Sequence, residues 1–209
     1  MNKRKAIVLI YEGLSISEIT LLTNYLTIYQ PIEDEWQIDT VGAEKTSYQS
    51  EDQFLLTPKK TFSEIDFSDY EIVILPGIIN PYPVADDQRV IDFLKPLAKM
   101  KNRPLISSMS SSPMLLAKAG VLEGVKFTFG LFEETLDEFD YLEKENIVRQ
   151  PIFYDEEHNI LTAIGFAFRE FAIDSAKILG FEVGDNMFSG VREDRPYTEE
   201  ELTFYMEEQ

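Results

Sequence analysis

The chain has 209 residues, 44% of them hydrophobic, with one tryptophan and no cysteine. That length is enough for one sizeable core, and a chain without cysteine has no disulfide, no thiolate nucleophile and no Cys-ligated metal. Nineteen basic residues against 38 acidic ones give a formal charge of −19. This balance argues against nucleic acid and against anionic membranes, since both are held by cationic side chains.

The N-terminal MNKRKAIVLIYEG begins with basic residues, but its apolar run stops at Glu12 without a small-residue cleavage site, so it is predicted to be a first strand. No apolar stretch approaches the roughly 20 residues of a membrane-spanning helix. A soluble, cytoplasmic protein is expected, with no cofactor and no metal site. KAIVLIY (5–11) is short, β-branched and continuous, the pattern of a buried strand. From Ser15 to Tyr29, the residues Ile16, Ile19, Leu22, Tyr25, Leu26 and Tyr29 fall at helical spacing. WQIDTVG (36–42) alternates as a strand does, and QFLLTP (53–58) is a short extended piece stopped by Pro58.

YEIVILPG (70–77) is a second buried strand, and Gln88–Met100 reads as a helix that Pro96 kinks or limits. PLISSM (104–109) is a third buried strand, followed by a helix from Pro113 to Ala119 that closes at Gly120. NIVRQPIFYD and NILTAIG are predicted as strands around the turn EEHN, before a helix from Phe168 to Leu179. Strands and helices that alternate in this way, with apolar strands, predict an α/β three-layer sandwich around a mainly parallel, flavodoxin-like sheet.

One domain is expected over residues 1–184. Residues 185–209 form an acidic extension in which Thr198 and Glu201 fit a capping box. A short helix there would place Leu202, Tyr205 and Met206 on a face packed against this domain or a partner. Acid is also dense in FEETLDEFDYLEKEN (132–146), which carries seven carboxylates against Lys144. A solvated face is the plainer reading of such a run, and an acidic surface that binds a partner is the sharper one.

The serine run SMSSSP (108–113) marks a sharp passage from strand to helix. Proline suits the first helical position, which makes Ser112 the natural N-cap. Open α/β sheets bind ligands at the carboxyl ends of their strands, so Ser110 stands where such a fold presents a nucleophile. Ser15-Ile-Ser-Glu18 opens the helix after the first strand, and LPGI (75–78) supplies backbone N–H groups of the kind that form an oxyanion hole. Ser15 and Glu18 also fit a capping box, which by itself accounts for an acid at that spacing. Phe127, Phe129, Phe132 and Tyr82 are weighed as pocket lining against core, and core is the commoner fate of such aromatics. The one histidine, His158, lies in the turn DEEHN.

AIVLIYEGLSISEI, DYEIVILPG, LISSMSSSPMLLAKAGVLEGVKFT and NILTAIGFAFREFA, in that order, resemble the ThiJ/PfpI superfamily with its class I glutamine-amidotransferase-like fold. The likeness runs from about Lys5 to about Gly180. It implies that Ser110 stands at the family's nucleophilic cysteine and Glu18 at its acidic partner. It also implies oxyanion donors at the Gly77-Ile78 turn and at the N–H of Ser111 or Ser110. Three departures accompany it: serine replaces cysteine, no histidine occurs in Phe127-Thr128-Phe129-Gly130, and Ile78 replaces a glycine.

A serine hydroxyl needs a base where a cysteine is already partly thiolate. The expectation is therefore a protein that has lost the family's Cys-His chemistry and binds a small molecule or serves a regulatory role at a Ser110/Glu18 pocket. A hydrolase using Ser110, with Glu18 as base, and a non-catalytic interaction protein using its acidic face are the alternatives. A homodimer is expected by resemblance.

Overall fold

The computed structural model describes residues 3–28, 36–184, 186–191 and 193–203. A seven-stranded sheet runs in the order β5-β2-β1-β6-β7-β9-β8. Its strands are β1 (Lys5–Leu9), β2 (Gln37–Gly42), β5 (Lys60–Thr61), β6 (Ile72–Leu75), β7 (Leu105–Met109), β8 (Ile152–Asp155) and β9 (Ile160–Ala163). All neighbours pair in parallel except the β8–β9 hairpin. A separate two-stranded piece pairs β3 (Tyr48–Gln49) with β4 (Leu55–Leu56).

The central strands are apolar throughout because helices cover both faces. Ile72–Leu75 and Leu105–Met109 are buried at every position. One helical layer is α1 (Thr20–Ile28) against α5 (Phe168–Ile178), and the other is α2 (Tyr82–Asp86), α3 (Gln88–Leu94) and α4 (Pro113–Lys118). The predicted three-layer architecture is therefore present, with β1 and β6 at its centre. The chain runs outward from β1 to β2 and β5, then returns to β6 and continues to β7, so its direction reverses between β1 and β6. Such a reversal opens a crevice at the carboxyl ends of the strands.

Several boundaries differ from expectation. The helix predicted from Ser15 begins only at Thr20, because residues 17–19 form a turn; Tyr29 lies outside the described residues. Pro96 has the effect expected of it: α3 stops at Leu94 and a 3-10 turn, Lys95–Lys99, replaces the rest of the helix. Asn146–Gln150 does not join β8, although Ile147 makes an isolated bridge to Phe127. The short edge strand β5 and the strand β3 carried too few residues to show a period. In the extension, Thr198 N–H donates to Glu201 Oε2 (2.8 Å) and Glu201 N–H to Thr198 Oγ1 (3.3 Å), so the capping box forms. It opens a 3-10 turn, Glu200–Leu202, while Tyr205 and Met206 lie outside the described residues.

Candidate functional site

The loops after β1 and β6 are zipped together beside the crevice. Leu14 and Ile78 form an antiparallel bridge, Ser15 N–H donates to Gly77 O (2.8 Å), and Ile79 N–H donates to Gly13 O (3.2 Å). This places the Glu18 carboxylate on the N–H of Gly77, at 2.8 Å. The capping box expected between Ser15 and Glu18 is absent. Ser15 Oγ lies 3.2 Å from Ser17 Oγ instead, and Glu18 reaches across to the next strand end.

β7 supplies the third component. Its pairing with β9 extends to Ser110, whose N–H donates to Ala163 O (2.7 Å), and there the chain turns with φ +55° at Ser110. This left-handed conformation is uncommon for a residue with a Cβ and marks a strained elbow. Ser112 N–H closes the turn on Met109 O (2.9 Å), and its side chain staples it. Ser112 Oγ accepts from Met109 N–H (3.0 Å) and lies within hydrogen-bond distance of Met109 O (2.7 Å), Leu75 O (3.0 Å) and Ser108 Oγ (2.7 Å). Ser112 precedes Pro113 as expected but makes no side-chain cap to α4, because its hydroxyl points back into the elbow.

Three glycines surround Ser110. A Cβ on Gly77 would overlap Glu18 Oε2 and lie 2.7 Å from Ser110 Cβ. One on Gly165 would lie 2.9 Å from Glu18 Oε1 and 3.5 Å from Ser110 Oγ, and one on Gly130 would lie 3.3 Å from Ser110 Oγ. Gly130 N–H also donates to Ser110 O (2.7 Å). None of the three has a positive φ, so space and not backbone freedom requires them. Ser110 and Glu18 therefore lie together around Gly77 and Gly165. Gly130 and Gly165 were not anticipated as part of the site; their one signal was a glycine directly after a short apolar segment.

The electrostatics set this carboxyl apart. Burial, the larger effect, pushes Glu18 up to about 7 against the opposing pull of the Gly77 N–H, and the charge of Glu51 adds to the rise. Tyr11 is fully buried close by with its hydroxyl on Pro76 O, and burial followed by the Glu18 charge raises its pKa. Ser110 Oγ has no hydrogen-bond partner among the described residues.

The expected oxyanion donors divide. Ser110 N–H is engaged by Ala163, and Ile78 N–H donates to Ser111 Oγ (3.1 Å), which in turn donates to Ile78 O (2.7 Å). Only the Ser111 N–H is without an acceptor among the described residues. Ile78 keeps a negative φ, so the turn needs no second glycine.

His158 is remote from this chemistry. It precedes β9, at the sheet edge opposite the elbow, and its Nδ1 lies 2.8 Å from Asp155 Oδ1. Phe127 and Phe129 are core, whereas Phe132 is 79% exposed and Tyr82 is half-exposed, with its hydroxyl on Glu138 (2.9 Å). Among the described residues no three His, Asp or Glu side chains converge in a metal-ligating arrangement.

The model of the DJ-1/PfpI family matches residues 4–177. No curated protein matches the chain by sequence. Solved structures similar to it include a DJ-1 superfamily protein from Agrobacterium tumefaciens, with TM-score 0.71 and 19% identity over 85% of this chain and 90% of that one. A thiJ/pfpI family protein from Bacillus anthracis has TM-score 0.70 and 21% identity over 86% and 84%. DJ-1beta of Drosophila melanogaster has TM-score 0.67 and 19% identity over 85% and 91%.

Proposed function

The chain belongs to the DJ-1/PfpI family, and from that premise we propose that its Ser110/Glu18 site binds a small carbonyl-bearing molecule without covalent chemistry. Ser111 carries this reading. Its hydroxyl is bonded to both the N–H and the C=O of Ile78, so a donor that would have to receive a developing oxyanion is already satisfied from within. Ser110 also has no histidine near it to accept its proton.

The groups left over are donors: the Ser110 hydroxyl, the Ser111 N–H and, near neutral pH, the protonated fraction of Glu18. They call for acceptor oxygens on the ligand. Ile79, Phe132 and Phe166, which follow Ile78, Gly130 and Gly165 closely in the chain, are all at least 73% exposed and suit an apolar body on that ligand. 4-Phenyl-2-butanone, a ketone with an aromatic end, is a suitable probe. It is expected to shift the amide resonances of Gly77, Ser110, Gly130 and Gly165 saturably; shifts elsewhere alone would refute the reading.

A hydrolase acting through Ser110 is the second reading. The strained elbow and a Glu18 poised near neutrality favour it. Stoichiometric labelling of Ser110 by a fluorophosphonate, abolished in Ser110→Ala, would establish it in place of the first. No labelling is expected.

A further inference from the structure

The sheet edge opposite the elbow carries a different chemistry. There the segment after the 3-10 turn Lys95–Lys99 leads through Arg103 into β7, and the turn 156–159 leads into β9. Parallel pairing of β7 with β9 sets the two connections side by side, with Ile106 N–H donating to Asn159 O (3.0 Å) and Asn159 Nδ2 donating to Arg103 O (3.3 Å). Two adjoining clefts, about 780 and 490 Å³, open here and share Lys99, Arg103 and His158. Lys95 and Lys118 line the larger and Lys101 the smaller. Five of the 19 Lys and Arg residues of a strongly acidic chain thus gather at one place.

Two of the five already have partners: Lys95 pairs with Asp92 (2.6 Å) and Lys118 with Asp86 (3.2 Å). Lys99 and Lys101 are exposed and make no ion pair among the described residues. Arg103 is half-buried and lines both clefts, while its Nη1 is sealed from solvent without an acceptor. A buried guanidinium N–H in that state is costly, and an oxyanion is the partner that best relieves it. Asp155 is engaged by His158 and acts on Arg103 through its charge, against the larger effect of burial, without forming an ion pair with it. Glu123 and Glu157 also line the clefts and keep the basic surface small. A long polyanion would meet the −19 field of the whole chain, whereas a small one that reaches Arg103 experiences mainly the local cations, because screening cuts off the rest within about 10 Å.

We propose that this cleft binds a small phosphorylated molecule, with Arg103 as the anchor and Lys99 and Lys101 as flanking charges. The guanidinium fork matches phosphoryl oxygens, and the separate lysines suit the additional charge of a phosphate over a single carboxylate. The site is independent of the Ser110 reading.

Calorimetric titration of the full chain with inorganic pyrophosphate at constant ionic strength tests it. One saturable site is expected, weakened about tenfold in Arg103→Gln and less in Lys99→Gln and Lys101→Gln. Lys126→Gln, which removes an exposed charge elsewhere, should leave it unchanged. Absence of saturable binding, equal weakening in Lys126→Gln, or citrate binding as tightly as pyrophosphate would overturn the proposal. Should Arg103→Gln fail to fold, the two exposed lysine variants decide the matter.

Discussion

Ser110 turns the chain at the end of β7 by adopting φ +55°, a conformation that a Cβ opposes by roughly 1–2 kcal/mol. Replacement by glycine removes that opposition, while replacement by alanine keeps it. Ser110→Gly is therefore expected to be more stable than Ser110→Ala by about 1 kcal/mol in urea unfolding. Glu18 makes the complementary case for pH. Its carboxyl titrates at about 7 in the fold, above the unfolded value, so its favourable contribution is complete in acid and is lost as pH rises through 7. Glu18→Gln should gain stability over the parent between pH 5 and pH 8, by up to about 3 kcal/mol. A pH-independent difference would show that Glu18 is not the buried acid described. Of these residues, Glu18 and Ser110 were legible in the sequence as an acid after one strand and a serine at the end of another. The stapling by Ser112 and the engagement of Ile78 by Ser111 were not, because a hydroxyl's partner depends on which distant carbonyl lies within 3 Å.

Among the elements, the short edge strand β5 depends on one polar cluster. Asp39 on β2 is almost fully buried and receives Lys60 Nζ (2.7 Å), Tyr70 OH (2.8 Å) and Gln37 Nε2 (3.0 Å). Burial alone would raise its pKa, but the bonds from Lys60, Gln37 and Tyr70 outweigh it and hold the carboxyl below the usual range. Asp39→Ala leaves Lys60 and Tyr70 without their acceptor and is expected to destabilise by about 3 kcal/mol. The parent's advantage over the variant should be present above the unfolded carboxylate pKa and vanish as pH falls through the lower folded value. Loss of amide-exchange protection confined first to Lys60 and Thr61 would locate the effect at β5. The cluster's tie between Asp39 and Lys60 spans two elements, so no periodicity could reveal it, and β5 itself was not anticipated.

On the scale of the whole molecule, an apolar groove of about 370 Å³ runs between α1 and β2 and includes Thr20, Thr23, Ile28, Ile38 and Leu56. Ile28 within it, and Phe54 and Leu55 next to Leu56 in the chain, are largely exposed. We propose that the homodimer expected from the family resemblance forms here, because exposed apolar side chains gathered at one place mark a protein–protein contact. Sedimentation equilibrium is expected to give a dimer that Ile28→Glu converts to monomer; a monomeric parent protein would refute it. The −19 charge opposes association at low ionic strength, so the dimer should tighten as salt is added.

By itself the sequence determined the alternation of strand and helix, the buried β1, β6 and β7, the absence of a thiol and the elbow at Ser110. Those features rest on local period, on composition and on the strand-to-helix passage at Pro113, all carried by neighbours along the chain. Only the tertiary structure decided that Glu18 would leave its cap and sit on Gly77, that three glycines would surround Ser110, and that Ser111 would engage Ile78. It also decided that Lys99, Lys101 and Arg103 would meet His158 at the opposite edge. Each of those depends on which strands lie side by side, and that is set by burying apolar faces together, a property of the whole chain.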